Sequence, residues 1–254
     1  MKTYTSTLAT RIGLCIALLA LGACSSTPPA NLADYPEPVY SSERILPANL
    51  DDPQANIYDP WSGMNRRIYN FNYKFDRYVF LPAVRGWQWI APDLVQNGFS
   101  NFFNNFRDVR TLANSILQLS PDKTAQSLGR VLVNTTVGLL GFIDVATNMD
   151  LPRPNEDFGQ TLGHYGVGKG PYLVVPFLGP SNLRDGFGLI PDTLLVREIQ
   201  SEVIADDLQL PATLLDAVDT RSNVTFRYYE TGSAFEYNTV RWLYSTKRDL
   251  DVAK

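Results

Sequence analysis

The sequence contains one histidine and two cysteines, and the reactive chemistry open to the chain narrows at once to what those residues support. Triad hydrolysis would have to use His164 as its base, since no second imidazole exists. No G-x-S-x-G elbow accompanies it, so the nucleophile is missing. Catalytic zinc wants three protein ligands and an open position, which one histidine without spare cysteines does not supply. The run from Gly163 to Pro171 is dense in glycine and invites a phosphate-binding reading. A phosphate loop needs lysine followed by serine or threonine, but Lys169 is followed by Gly170. A dinucleotide fingerprint needs a strand, G-x-G-x-x-G and a helix, a context that Pro171 argues against. These glycines instead suit positive φ angles or close backbone approach, hence a bend or hinge. His164 is then a structural hydrogen-bonding residue. No catalytic residue, cofactor or metal is expected.

Cys24 is where covalent chemistry is expected. Lys2 and Arg11 precede an apolar run from Ile12 to Leu21, the charged and hydrophobic regions of a secretory signal. The run ends in Leu21-Gly22-Ala23-Cys24, which resembles the bacterial lipoprotein box. There the thiol receives a diacylglyceryl group and the cysteine becomes the first mature residue. An ordinary signal peptide that happens to contain cysteine is the alternative. The expectation is a signal peptide over 1–23 and lipid attachment at Cys24, with several acyl chains holding it at about 0.8 kcal/mol per buried methylene. Ser25 favours the outer over the inner membrane, where an aspartate would be expected. Cys15 leaves with the signal and Cys24 is consumed, so no thiol remains for a disulfide or a metal.

Composition excludes other classes. Hydrophobic residues make up 44% and charged residues only 19%, against about 25% in ordinary soluble domains. Basic residues number 22 and acidic 26, a net charge of −4; loss of Lys2 and Arg11 takes it to −6. With no basic block, no nucleic-acid partner is expected. No run of about 18 uncharged apolar residues follows the N-terminus, so the chain is not polytopic.

The elements that must position these residues are mostly helical. Residues 24–58 read as a lipidated tether, rich in Pro, Ser, Asn and Asp. Asp59-Pro60 reads as a helix cap, and Trp61, Met64, Ile68, Phe71, Phe75 and Tyr78 recur as one apolar stripe until Leu81-Pro82 stops the helix. Pro92 opens a longer helix carrying Phe99, Phe102, Phe103, Phe106 and Val109 at the same period, and Ser120-Pro121 begins another. Tyr172 to Phe177 is the one extended apolar segment. Val131 to Ile143 carries no charge; at about 1.5 Å per residue it reaches roughly 20 Å as a helix, short of the roughly 30 Å hydrocarbon core. Periodicity alone favours burial of this helix, with Phe158 to Tyr165 returning as a second arm, over insertion into a leaflet. The C-terminal helix around Tyr237 to Arg248 is amphipathic, packing on the body or protruding toward a partner.

Read in order, the motifs resemble the VacJ/MlaA family of bacterial outer-membrane lipoproteins. The resemblance is carried by Asp59 to Arg66 with Tyr69-Asn70-Phe71-Asn72, then Asn101-Phe102 with Asn105, and Asn114 to Gln118. It continues through Arg130 with Asn134-Thr135-Thr136, Gly141 to Ala146, Asp157 to Tyr172, and Gly179 to Asp185.

The resemblance implies an all-α fold, a single helical ring-shaped domain over 59–250 with a hydrophobic helical hairpin, embedded in one leaflet of the outer membrane. Such a protein removes phospholipid from the outer leaflet through an amphipathic channel and hands it to a soluble periplasmic lipid carrier. It sits beside a trimeric outer-membrane porin, and an inner-membrane ABC transporter complex completes the route. The hairpin then spans Arg130 to Gly168 and faces the bilayer. Gly166 and Gly168 become its hinge, Phe158 packs at its base, and Asn70 and Phe71 control opening. Lys169, Arg184 and Asp185 are candidates for a polar lining, although Arg184 and Asp185 equally suit a local structural pair. The competing reading is a structural lipoprotein that scaffolds porins.

Overall fold

The computed structural model describes residues 57–230, 232–233 and 235–254. Cys24, the signal peptide and nearly all of the tether lie outside these residues. Helix α1 spans Ser62–Phe75. Its N-cap is Trp61 rather than Asp59, because the Asp59 carboxylate is engaged elsewhere: it accepts from Asn65 at 2.8 Å, the Tyr237 hydroxyl at 2.6 Å and Arg241 at 3.1 Å.

Leu81-Pro82 does not end the helical run. The backbone widens into a π turn over Asp76–Phe80 and continues as α2, Leu81–Ile90. Pro82 falls in the first turn of α2, where its missing N–H and fixed φ are tolerated. Helix α3, Asp93–Leu117, follows Pro92, and α4, Pro121–Thr136, follows Ser120 and packs against α3. Two short helices come next, α5 (Val145–Asn148) and α6 (Phe158–His164). Strands β1 (Tyr172–Val175) and β2 (Gly179–Asn182) pair antiparallel, Tyr172 opposite Asn182, with Phe177 and Gly179 at positive φ in the turn. Helices α7 (Leu183–Val203), α8 (Gln209–Ser222) and α9 (Glu236–Ala253) complete the chain.

The outer edge of β1 is covered by side chains instead of a third strand. Asn65 donates to the Tyr172 carbonyl at 3.1 Å and accepts from the Val174 N–H at 2.9 Å. Asn72, two turns on, donates to the Val175 carbonyl at 3.0 Å and accepts from the Phe177 N–H at 2.8 Å. This explains why the buried face of α1 is Asn65, Tyr69, Asn72 and Tyr73. Much of the apolar stripe read from the sequence points outward, with Trp61, Met64, Phe71 and Tyr78 exposed.

The same inversion runs through the molecule. Among the described residues, twelve apolar side chains are buried against twenty-four polar or charged ones. One core cluster is built mainly of tyrosines (Tyr69, Tyr73, Tyr172, Tyr229, Tyr237) around Val174, and another of Phe102, Phe103 and Phe106 on α3.

Val131 to Ile143 is not one helix. α4 ends at Thr136, and the chain then turns through Leu139, Leu140 and Gly141, all at positive φ. The reversal is held by hydrogen bonds from Leu140 N–H to the Thr135 carbonyl and from Gly141 N–H to the Asn134 carbonyl. Gly141 is needed for a second reason: a Cβ there would lie 2.5 Å from that of Asn105. Val137, Leu139, Leu140, Phe142 and Ile143 are exposed at this tip, so the segment is not buried in a core.

Candidate functional site

The described helices and the β-hairpin line an open cavity of about 320 Å³, reached by charged side chains from four of them. Arg110 comes from α3, Asp157 from the residue capping α6, Asp185 and Asp192 from α7, and Lys247 and Arg248 from α9. Val175, Leu178 and Leu189 contribute apolar surface to the same walls.

Arg248 organises the cavity. Its guanidinium donates to both oxygens of Asp157, at 2.7 and 2.9 Å, and to Asp185 at 2.6 Å. Asp185 also accepts from Asn182, Arg184 and the Tyr244 hydroxyl. Burial pushes the Asp157 carboxyl up, but hydrogen bonds and charge from Arg248, with donors from Gln160, outweigh it and hold it at about 2. The same competition leaves Asp185 below the ordinary carboxylate range. Asp192 behaves oppositely: burial dominates and raises it.

A pH dependence follows. Asp157 ionises more readily folded than unfolded, so its contribution of about 2 kcal/mol is in place above about pH 4 and disappears as pH falls toward 2. Denaturant unfolding across that range is expected to show this acid loss in the native protein. Arg248→Met is expected to flatten it while lowering stability at neutral pH.

A second ionic cluster ties α3 to the chain after the apolar tip. Arg130, 1% exposed, pairs with Asp108 at 3.3 Å and Asp144 at 2.8 Å, and donates to the Leu151 carbonyl at 2.9 Å. Arg153 completes the neutralisation of Asp108 at 2.8 Å. Burial raises the Asp144 carboxyl, but donors from Thr147, Arg130 and Asn134 together hold it at about 2.

The residues singled out from sequence fall in several places. Asp185 lines the cavity, and Arg184 is buried beside it, bonded to it at 3.0 Å. Lys169 stands apart from that cavity and pairs with Asp249 on α9 at 2.7 Å. Gly166 has positive φ with open space around it, and Gly168 is also uncrowded. Phe158 begins α6, its N–H donating to Asp192 at 2.9 Å. Phe71 is exposed on α1, its ring edge-on to Phe177 at 5.2 Å, while Asn70 beside it is half-buried. Phe71 thus packs on the β-hairpin, whose residues Val175 and Leu178 line the cavity that Asp185 also lines. His164 is exposed at the end of α6 with its ring edge-on to Tyr165.

Sequence reasoning missed Arg110, Asp192 and Asp108. Asp108 had a signal in polar spacing: with Asn105, Thr111, Asn114 and Ser115 it forms a polar helical stripe on α3, and that stripe is buried, whereas Arg110 and Asp192 lie outside it.

Comparison with known proteins places this geometry among relatives. The family described as MlaA lipoprotein matches residues 57–251. The intermembrane phospholipid transport system lipoprotein MlaA of Escherichia coli K12 is 42% identical over 149 residues, covering 57% of this chain and 59% of that protein. An uncharacterized protein of Rickettsia bellii is 34% identical over 202 residues, 77% of each chain. One from Rickettsia prowazekii is 41% identical over 129 residues, so the chain spans about half the length of such curated relatives, 51% in this case. A solved chain from work on the structural basis for maintenance of bacterial outer membrane lipid asymmetry matches with a TM-score of 0.61 at 30% identity. It covers 76% of this chain and 98% of that one.

Proposed function

Because the chain belongs to the MlaA lipoprotein family, we propose that it removes phospholipids from the outer leaflet of the outer membrane and hands them to a periplasmic lipid carrier. Cys24 bears the lipid that anchors it, a trimeric porin holds it in place, and an inner-membrane ABC transporter complex receives the cargo indirectly. The activity is transport, not catalysis.

The observation that carries this reading is the inverted polarity. Exposed apolar residues such as Leu139, Phe142, Phe187 and Leu194 meet acyl chains, each square ångström removed from water contributing about 25 cal/mol. No helix among the described residues is long and apolar enough to cross a membrane; the exposed apolar side chains are what favours lying in one leaflet, since burying them there gains free energy. Ionic side chains turned inward give a headgroup a wet route, while its acyl chains stay in the bilayer. Gly166 and Gly168 form the hinge of the hairpin, since positive or open backbone positions absorb rotation at little cost. Phe158 secures the base of the moving arm, and Asn70 and Phe71 set how far the channel opens. Asp185 belongs to its polar lining, with Arg184 acting through Asp185; Lys169, paired with Asp249 on α9, contributes to the polar route outside the cavity that Asp185 lines.

Deleting the gene and assaying phospholipid exposed on the cell surface tests the proposal. Phospholipid is expected to accumulate in the outer leaflet, and the intact gene to restore asymmetry. A protein that only scaffolds porins predicts an unchanged leaflet in the deletion strain.

A further inference from the structure

We infer that the cavity between α3, α6, α7 and α9 receives a zwitterionic phosphodiester headgroup, its phosphate against Arg110 and its ammonium against Asp192. This rests on the lipid-carrying reading above and specifies the lipid.

The cavity of about 320 Å³ lies at the lower end of the range of about 300–1,000 Å³ usual for ligand sites. It has room for a headgroup and not for two acyl chains, and Val175, Leu178 and Leu189 give the glycerol end an apolar wall. Most of its charged groups are already committed. Arg248 is occupied by Asp157 and Asp185, and Lys247 by Asp251 at 2.6 Å.

Two groups are left under-used. The Arg110 guanidinium donates to Asn155 at 3.0 Å, while its Nε is buried with no partner. Asp192 is 6% exposed and forms no ion pair within 4.0 Å among the described residues. Its oxygens accept only neutral donors, the Asn114 amide and the Phe158 N–H, each at 2.9 Å. Arg110 is near enough for its charge to act on Asp192, yet the two are not bonded. A guanidinium with one N–H unpartnered, beside a carboxylate with no bonded cation, is an incomplete ion pair of each sign. A guanidinium N–H suits a phosphate oxygen, and a buried carboxylate is relieved by an ammonium. A phosphodiester with a neutral polyol headgroup satisfies Arg110 and leaves Asp192 desolvated without a bonded cation.

The test titrates the full-length lipoprotein in detergent with dihexanoyl phosphatidylethanolamine, dihexanoyl phosphatidylglycerol and inorganic phosphate. The ethanolamine lipid is expected to bind about tenfold more tightly than the glycerol lipid, a difference of about 1.4 kcal/mol. Arg110→Gln is expected to weaken both lipids together by about tenfold. Asp192→Asn is expected to erase the preference by weakening the ethanolamine lipid alone. Equal affinity for the two lipids in the native protein overturns the assignment. So does an Arg110→Gln variant with unchanged affinities, or inorganic phosphate binding as tightly as the ethanolamine lipid. Should Asp192→Asn not fold, the native preference and Arg110→Gln still decide. Leaflet asymmetry lost on deletion without any headgroup preference rejects only this inference. A clear preference with normal leaflets rejects only the transport reading.

Discussion

Gly188→Ala is expected to destabilise the folded protein by about 3 kcal/mol and to abolish lipid traffic, though it adds a single methyl group. A Cβ at Gly188 on α7 would lie 2.5 Å from the Gly159 nitrogen, 2.9 Å from its Cα and 3.2 Å from the Phe158 carbonyl carbon. All three are backbone atoms, so no side chain can swing away and α6 itself must move. Its first turn holds the Asp157–Arg248 ion pair and the Phe158–Asp192 hydrogen bond, so displacement opens the cavity wall at two points. Gly186→Ala is the control on the same helix. Its Cβ would meet Leu173 and Ser181 at an ordinary 3.7 Å, and alanine in place of glycine favours the helix by up to about 1 kcal/mol. Urea unfolding of both variants in detergent separates close helix contact from general sensitivity of α7; equal losses would contradict the account.

Arg130→Met is expected to cost about 3–5 kcal/mol, because removing one member of a buried ionic cluster leaves the others uncompensated. Asp108 would retain only Arg153, and the Leu151 carbonyl would lose its donor. The damage should be local as well as global. Arg130 fastens the end of the apolar tip to α4 through Asp144, so limited proteolysis is expected to open the 144–153 segment first. Adding Asp108→Asn to Arg130→Met should recover part of the loss, since the orphaned charge is then gone. A double variant less stable than the single one by the full cost of Asp108→Asn alone would show that the two residues do not act on each other.

Much of the helical order was legible from residue type. Pro92, Ser120-Pro121 and the long aromatic stripe of α3 mark real helix starts and a real core. Two local rules failed because the deciding interactions are remote or geometric. Proline stops a regular helix, but a π turn just ahead of Pro82 re-phases the backbone. An uncharged run reads as continuous helix, but left-handed Leu139 and Leu140 reverse it after Thr136. The orientation of α1 was illegible for a deeper reason. Periodicity tells which side chains share a face, and never which medium that face meets. Asn65 and Asn72 could be assigned inward only by knowing that β1, a hundred residues later, needed their amides. The cavity was illegible for the same cause: Arg110, Asp192 and Arg248 each read as an ordinary surface charge until three helices bring them together.

Those two asparagines have a consequence for assembly. Seven residues of helix rise about 10.5 Å, and the three steps of extended chain from Tyr172 to Val175, whose carbonyls the two amides reach, cover about 10 Å. The two repeats, otherwise incommensurate, coincide at this one interval, so α1 acts as a ruler for the strand beside it. Inserting one residue between the asparagines would swing one amide about 100° round the helix and bare the strand's margin. While the ruler holds, that margin offers no seam to a neighbouring chain, a safeguard for a protein whose exterior is already so greasy.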